Sequence, residues 1–162
     1  MTPLTPEQKR DGALLAAALK AIRRHRGLRA LDVATRMNLS LRTYENFESG
    51  RIRVNADYIH RFCAATDSDP HAVMTSIALG SPEFAVDCAD NKLMSILLLS
   101  VREYHERVGR GAALVEMRDA VAVFREMFTR LGDETERREQ EAAAWLKTGL
   151  DALADRRPKP GQ

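Results

Sequence analysis

The sequence has 162 residues, of which 44% are hydrophobic and 30% charged, a balance typical of a globular protein with one domain or a small domain plus a second helical module. Two cysteines, Cys63 and Cys88, exclude a disulfide framework and fit a reducing cytoplasm. The longest apolar run, residues 93–101, is too short for a membrane span of roughly 20 residues. The N-terminal segment lacks the apolar core of a signal peptide, so we expect a cytoplasmic protein and no membrane partner.

Charge is unevenly distributed along the chain, although the formal net charge is only +2. Residues 20–61 hold ten basic and four acidic side chains, whereas residues 81–162 hold 13 basic and 15 acidic ones. A basic block of this kind is what polyanion binding requires. A solvated surface without a partner explains the charge alone equally well.

The first half of the chain has the periodicity of short helices. Residues 1–11 are predicted to be a flexible tail. From Gly12 onward, Leu15, Leu19 and Ile22 recur at helical spacing, and Gly27 is placed to end that helix.

Two further helices are predicted over residues 29–37 and 41–49. Asn38 tolerates the positive φ that a tight turn between them needs, and Ser40 is a suitable N-cap. The inward side chains of the pair are Val33, Ala34, Met37, Tyr44 and Phe47. Gly50 is expected to end the second of these helices.

Asn55 predicts the start of a fourth helix, and Asp69 followed by Pro70 predicts the start of a fifth that ends at Gly80. No convincing strand pattern of period two appears, so the fold class is all-α, with five short helices in residues 12–80. Residues 81–90 look like a linker.

Beyond the linker, three longer helices are predicted, at about 91–108, 112–131 and 134–155, followed by a flexible tail at 156–162. The middle one carries apolar residues at heptad spacing, and the last one carries a tryptophan on its apolar side. These candidate core residues are Leu114, Met117, Val121, Phe124, Phe128, Leu131 and Trp145. The pattern fits either the core of an internal helical bundle or the seam of a homodimer.

Residues 30–49 meet the steric demands of a helix-turn-helix. Ala34 is small where the two helices would cross, Asn38 suits the turn, Leu39 would be buried next, and Tyr44 and Phe47 follow at one-turn spacing.

On these grounds residues 12–79 resemble the DNA-binding domain of the Cro/phage-repressor type, also called the XRE family. The residues that carry the resemblance are Gly27, Leu28, Val33, Ala34, Met37, Leu39, Ser40, Tyr44, Phe47, Glu48, Gly50 and Asn55. The sequence departs from the family at Ala30, where a glutamine is frequent, and at Asn38, where a glycine is frequent. The resemblance implies a five-helix, lambda-repressor-like domain, followed here by the C-terminal helical module of residues 91–155.

The resemblance also implies a role in regulating transcription, with residues 41–49 in the major groove of double-stranded DNA. The side chains it offers to base edges are Leu41, Arg42, Thr43, Glu45 and Asn46. Those at helix ends and loops, suited to phosphate contacts, are Arg29, Ser40, Arg51, Arg53 and Asn55.

Two classes of function remain beside one another. A dimeric DNA-binding regulator would use residues 91–155 to hold two reading domains on neighbouring half-sites. A protein-interaction adaptor, such as an antitoxin or an RNA-polymerase-associated regulator, would use the same residues to bind a protein partner. No phosphate loop, nucleophile motif or metal-ligand spacing is present, so we expect no catalytic residues, no metal and no cofactor.

Overall fold

The computed structural model describes residues 5–155, and every regular element within them is a helix. Residues 1–4 and the predicted tail at 156–162 lie outside the described part. The α-helices are α1 (Pro6–His25), α2 (Ala30–Arg36), α3 (Leu41–Glu48), α4 (Ala56–Thr66), α5 (Pro70–Leu79), α6 (Glu83–Asp87), α7 (Leu93–Val108) and α8 (Met117–Asp155). A 3-10 helix, Gly109–Leu114, precedes α8. The predicted all-α fold class is confirmed.

The chain divides into two units, with the boundary between Arg107 and Val108. The first unit has a core built from α1 to α6, and the predicted inward residues belong to it. Buried core side chains are Leu15, Leu19, Ile22, Val33, Ala34, Met37, Tyr44, Phe47, Ile59, Phe62 and Cys63. Phe47 lies at the centre of an aromatic group, with its ring edge-on to Tyr58 at 5.5 Å and to Phe62 at 6.4 Å between centroids.

The helix starts follow the predicted capping chemistry. The hydroxyl of Ser40 accepts a hydrogen bond from the backbone N–H of Thr43, and Asn55 Oδ1 accepts from those of Asp57 and Tyr58. Asn38 has a φ of 54° at the turn between α2 and α3, as predicted.

The predicted flexible tail at residues 1–11 is wrong for residues 6–11, because α1 begins at Pro6. Thr5 and Gln8 form a capping box, in which each side chain bonds the other's backbone N–H, and Pro6 occupies the first helical position. This signal is local and could have been found in the sequence.

The predicted linker at residues 81–90 is also wrong, since this segment is part of the first unit. It contains α6, and Ala85, Cys88 and Ala89 are buried. These small side chains allow α6 to pack closely against α1 and α5. In the sequence they stand among polar turn residues, which made the segment resemble a linker.

Polar contacts hold the start of α7 on the same unit. The buried carboxylate of Asp69, the N-cap of α5, accepts hydrogen bonds from the backbone N–H of Ser95 at 3.0 Å and from its hydroxyl at 2.7 Å. Lys92 Nζ lies 3.0 Å from Asp67 Oδ1, and Arg26 lies 2.5 Å from Asp90. The unit therefore extends well past Gly80, the predicted end of the domain.

Burial would raise the pKa of Asp69, but the hydrogen bonds from Ser95, His71 and Ala72 outweigh it and hold this pKa below the ordinary value. A carboxylate with a lowered folded-state pKa stabilises the fold above its unfolded pKa of about 3.9. That contribution is lost as the pH falls through the folded-state value.

Residues 117–155 form one continuous helix where the sequence predicted two helices with a break near residue 132. A single glycine, Gly132, costs only about 1 kcal/mol in a helix and does not stop it. Glu134 accepts hydrogen bonds from Arg137 and Arg138, and Arg137 also bonds Glu141, so ion pairs one turn apart support the helix through this polar stretch. In the described part of the chain, each helix is too short or too polar to span a bilayer.

We predict that Ser95→Ala lowers the free energy of unfolding by about 1 kcal/mol more than Ser100→Ala does, because Ser95 bonds the buried Asp69 carboxylate. Ser100 is the matched control on the same helix, exposed and bonded only to Ile96 of its own helix. Urea denaturation at pH 7 measures both. Equal effects would show that the hydrogen bond from the Ser95 hydroxyl to Asp69 does not contribute to the stability of the fold.

Candidate nucleic-acid interface

The pair α2 and α3 has the close crossing that the sequence predicted. Ala34 is fully buried, and its carbonyl oxygen accepts a hydrogen bond from the backbone N–H of Leu39 at 2.9 Å. Leu39 is partly buried and packs against the core beside it. The turn between the helices is therefore fixed by backbone geometry and by packing together.

The outer face of α3 presents the side chains predicted to read bases. Leu41, Arg42 and Glu45 are exposed, and Thr43 and Asn46 are half-buried. Arg42 makes no ion pair within residues 5–155, so its five donors are free for a partner. Thr43 differs, because its hydroxyl lies 2.8 Å from that of Ser40 and takes part in the N-cap.

The residues predicted to contact phosphate fall into two groups. Arg51 and Arg53 are exposed in the loop that follows α3. Arg29, Ser40 and Asn55 already have intramolecular partners: Arg29 forms a two-pronged ion pair with Asp32 at 3.0 Å, and the other two cap helices. The hydrogen bond from Arg29 lowers the pKa of the Asp32 carboxyl.

A polar cluster beneath α3 joins it to α1. Arg23 donates to both oxygens of the buried Glu48 carboxylate, at 2.5 and 3.1 Å, and also to the carbonyl of Leu28. The hydroxyl of Tyr44 donates to Glu48 at 2.7 Å. We call Arg23, Tyr44 and Glu48 the α1–α3 clamp.

The surroundings of Tyr44 and Arg23 raise the pKa of both groups. Burial, and then the hydrogen bond to Glu48, raise the pKa of Tyr44 far above neutrality, so its hydroxyl remains a donor. The hydrogen bond with Glu48 raises the pKa of Arg23. Sequence reasoning missed Arg23. A buried acid at Glu48 requires a basic partner, but periodicity does not say which of the nearby arginines supplies it.

Two glycines bring the backbones of α1 and of the end of α3 into contact. Gly50 has a φ of +70°, and a Cβ there would lie 2.3 Å from the carbonyl oxygen of Gly12. A Cβ on Gly12 would lie 3.0 Å from the carbonyl oxygen of Gly50. Gly12 is thus a contact point inside α1, and not the helix start that the sequence predicted.

Both cysteines, Cys63 and Cys88, are buried and form no disulfide. Burial raises the pKa of the Cys63 thiol to about 11, which keeps it protonated at neutral pH. Residues 5–155 contain no group of three or more His, Cys, Asp or Glu side chains arranged to hold a metal ion.

The predicted dimer or bundle core lies on the surface of the chain. Leu114 and Met117 are each 83% exposed, Trp145 is 78% exposed, and Val121, Phe124, Phe128 and Leu131 are between 42% and 49% exposed. No internal bundle core contains them in the described part of the chain. These side chains remain available to a partner.

Comparison with known proteins agrees with this geometry. Residues 14–73 match the model of a protein family described as a helix-turn-helix domain. The match contains α2, α3 and the turn between them, and it supports a DNA-binding regulator. Comparisons of the chain with curated proteins and with solved structures gave no match.

We predict that Gly50→Ala lowers the free energy of unfolding by about 3 kcal/mol or more, well beyond Gly27→Ala at about 1–2 kcal/mol. Both glycines have positive φ, but a Cβ at Gly27 meets no atom within 4 Å, so the difference reports the contact with Gly12. Urea denaturation of the two variants measures it. Similar losses for both would mean that α1 and α3 are not in tight backbone contact.

Proposed function

We propose that this protein is a sequence-specific, dimeric regulator of transcription, similar to the Cro/phage-repressor type, that reads double-stranded DNA with α3 in the major groove. One observation carries the proposal: α3 is held from below by buried polar contacts, while Arg42 is exposed and unpaired on its outer face. A reading helix needs this combination of a fixed position and free donors. Such a role would be exercised in the cytoplasm, on the nucleoid.

Base recognition follows from the chemistry of the exposed side chains. Arg42 has the forked donors that fit the O6 and N7 atoms of guanine, and Asn46 has the amide that fits adenine. Leu41 suits a thymine methyl group. Thr43 and Glu45 complete the set, with Thr43 at the helix start, where its backbone is fixed by the Ser40 cap.

Phosphate contacts would position the domain. Arg51 and Arg53 lie just beyond α3, where they can reach the strand that flanks the groove. Arg29 can contribute only by exchanging its ion pair with Asp32 for a phosphate, which costs little because the pair is exposed.

Dimerisation through α8 would join two reading domains. The exposed apolar side chains of α8 need a partner helix, and a linked second domain raises the effective concentration at the neighbouring half-site.

A second function is favoured by a different observation. Ile96, Leu98, Leu99 and Val101 of α7 are all between 44% and 54% exposed, on a helix that is held rigidly at its start. Exposed apolar side chains on a helix suit an adaptor that binds another protein, such as a toxin or RNA polymerase. A stoichiometric complex of the full chain with such a partner, without binding to any duplex, would favour this alternative.

The direct test is selection of bound duplexes from a random DNA library with the purified full chain. We expect one enriched motif, with an affinity that falls steeply as salt rises, because phosphate contacts release counterions. Uniform, weak binding to every duplex at moderate salt contradicts the proposal.

Arginine variants separate base reading from phosphate contact. We expect Arg42→Ala to lose about 1–3 kcal/mol of discrimination at one base position, and Arg53→Ala to weaken binding to all duplexes and reduce the salt slope by about 1. Arg102→Ala, on α7, is the control with the same change in charge. Fluorescence anisotropy with the selected and scrambled duplexes measures all three. An Arg42→Ala variant with unaltered base preference would remove Arg42 from the reading face.

A further inference from the structure

The α8 helix carries a stripe of apolar residues along nearly its whole length. The α8 stripe consists of Met117, Val121, Phe124, Phe128, Leu131, Ala142, Leu146, Gly149 and Leu153. At 3.6 residues per turn these positions share one side of the helix, and none of them is buried. A polar stretch, residues 132–141, separates its two halves.

The two halves of the α8 stripe differ in size. The first half consists of large side chains, including two phenylalanines, whereas small residues, Ala142 and Gly149, alternate with leucines in the second half. A partner that fits the stripe must therefore be small where α8 is large, and large where α8 is small.

We propose that two copies of this chain pair along α8 in antiparallel orientation, with the twofold axis at Thr135. This inference rests on the dimer in the proposed function and specifies its geometry. Reversal of the helix about Thr135 superimposes eight of the nine stripe residues on one another, and Leu131 falls opposite Glu139 of the second copy. It sets Met117 opposite Leu153, Val121 opposite Gly149, Phe124 opposite Leu146, and Phe128 opposite Ala142 of the second copy.

Packing distinguishes this arrangement from a parallel one. In antiparallel pairing Val121 and Phe128 each meet a small residue, so the helices keep one separation of about 8–10 Å along their length. In parallel pairing Phe124 and Phe128 would each face their own copy at one end, while Ala142 and Gly149 would face theirs at the other. Such a pair would be forced apart at one end and would leave voids at the other.

The polar middle of α8 also fits a reversed second copy. Arg138 lies 2.9 Å from Glu134 within one helix, and both lie along the same edge of the stripe, within one turn of Thr135. An antiparallel twofold at Thr135 brings the two pairs together on one edge, so that each Arg138 lies beside the Glu134 of the second copy. The two carboxylates then lie at the centre of this edge with an Arg138 on either side of them, so each helix gains an ion pair where apolar side chains are missing.

Trp145 gains a partner in the same arrangement. It lies on the edge of the stripe, 78% exposed, on the same side as Met127. Antiparallel pairing places it beside Met127 of the second copy, a thioether–aromatic contact.

At roughly 200 Å² per aromatic side chain, Phe124, Phe128 and Trp145 offer on the order of 350 Å² of exposed surface per chain. A stable interface needs about 1,200–2,000 Å² in total, which the rest of both stripes can complete.

Orientation decides where the two reading domains are attached. At about 1.5 Å per residue, antiparallel pairing places the two Met117 residues about 54 Å apart along the paired helices. A parallel pair would place them side by side.

Distances between spin labels on the full chain, without DNA, test the orientation. One label replaces Asp119 near the start of α8, and another replaces Glu136 near its middle, as Asp119→Cys and Glu136→Cys. Both positions are exposed, and the native cysteines are buried. We expect about 50 Å between labels at 119 and under about 25 Å between labels at 136. Short distances at both positions, as in a parallel pair, overturn the inference and leave a dimeric DNA-binding protein intact.

A variant pair tests the surface itself. Phe124→Glu, on the α8 stripe, should convert the dimer to a monomer in sedimentation experiments, whereas Val123→Glu, exposed beside the stripe, should leave it dimeric. A wild-type chain that sediments as a monomer at tens of micromolar overturns the pairing. If that monomer still selects a DNA motif, the reading function stands without it.

Discussion

The position of α3 depends on a buried ion pair between Arg23 and Glu48, to which Tyr44 adds a hydroxyl. Apolar burial favours contact between helices but has little directional preference. A guanidinium that donates to both oxygens of a carboxylate fixes distance and orientation together. Removing two charges from water is costly, and the hydrogen bonds that Arg23 also donates to the carbonyl of Leu28 and that Glu48 also accepts from Tyr44 offset part of this cost. The outer face of α3 is displayed in one orientation as a result.

Beside this clamp, the contact of Gly12 with Gly50 sets how closely α1 and α3 approach each other. Side chains larger than hydrogen at either position would separate the backbones and lengthen the bonds of the clamp. The two devices depend on each other, and both lie on the side of α3 away from its exposed residues. Changes to the outer face of α3 can therefore alter binding with little effect on the fold.

Local chemistry made most of the first unit predictable from the sequence. Caps at Ser40, Asn55 and Asp69 and the turn at Asn38 depend on residues within a few positions of one another, and the apolar period identified the core. Contacts between distant residues were not predictable, as with Arg23 and Glu48, 25 positions apart, and Asp69 and Ser95, 26 apart. The continuity of α8 was missed because ion pairs around Glu134 outweigh the effect of one glycine. The residues offered to DNA remain predictions from resemblance, now with a known exposure.

The carboxylate of Asp69 accepts hydrogen bonds both at the start of α5 and at the start of α7. This shared contact determines how much of the chain must accompany the helix-turn-helix when it is expressed alone or moved to another protein. A fragment limited to the helix-turn-helix motif and the helices up to α5 would contain Asp69 but not Ser95. The Asp69 carboxylate would then lose the two hydrogen bonds that Ser95 donates. The fragment would also expose the apolar core surface against which Ala85 and Ala89 are buried. The segment that folds as a unit is thus longer than the helix-turn-helix motif, and its C-terminal end lies beyond the first turn of α7.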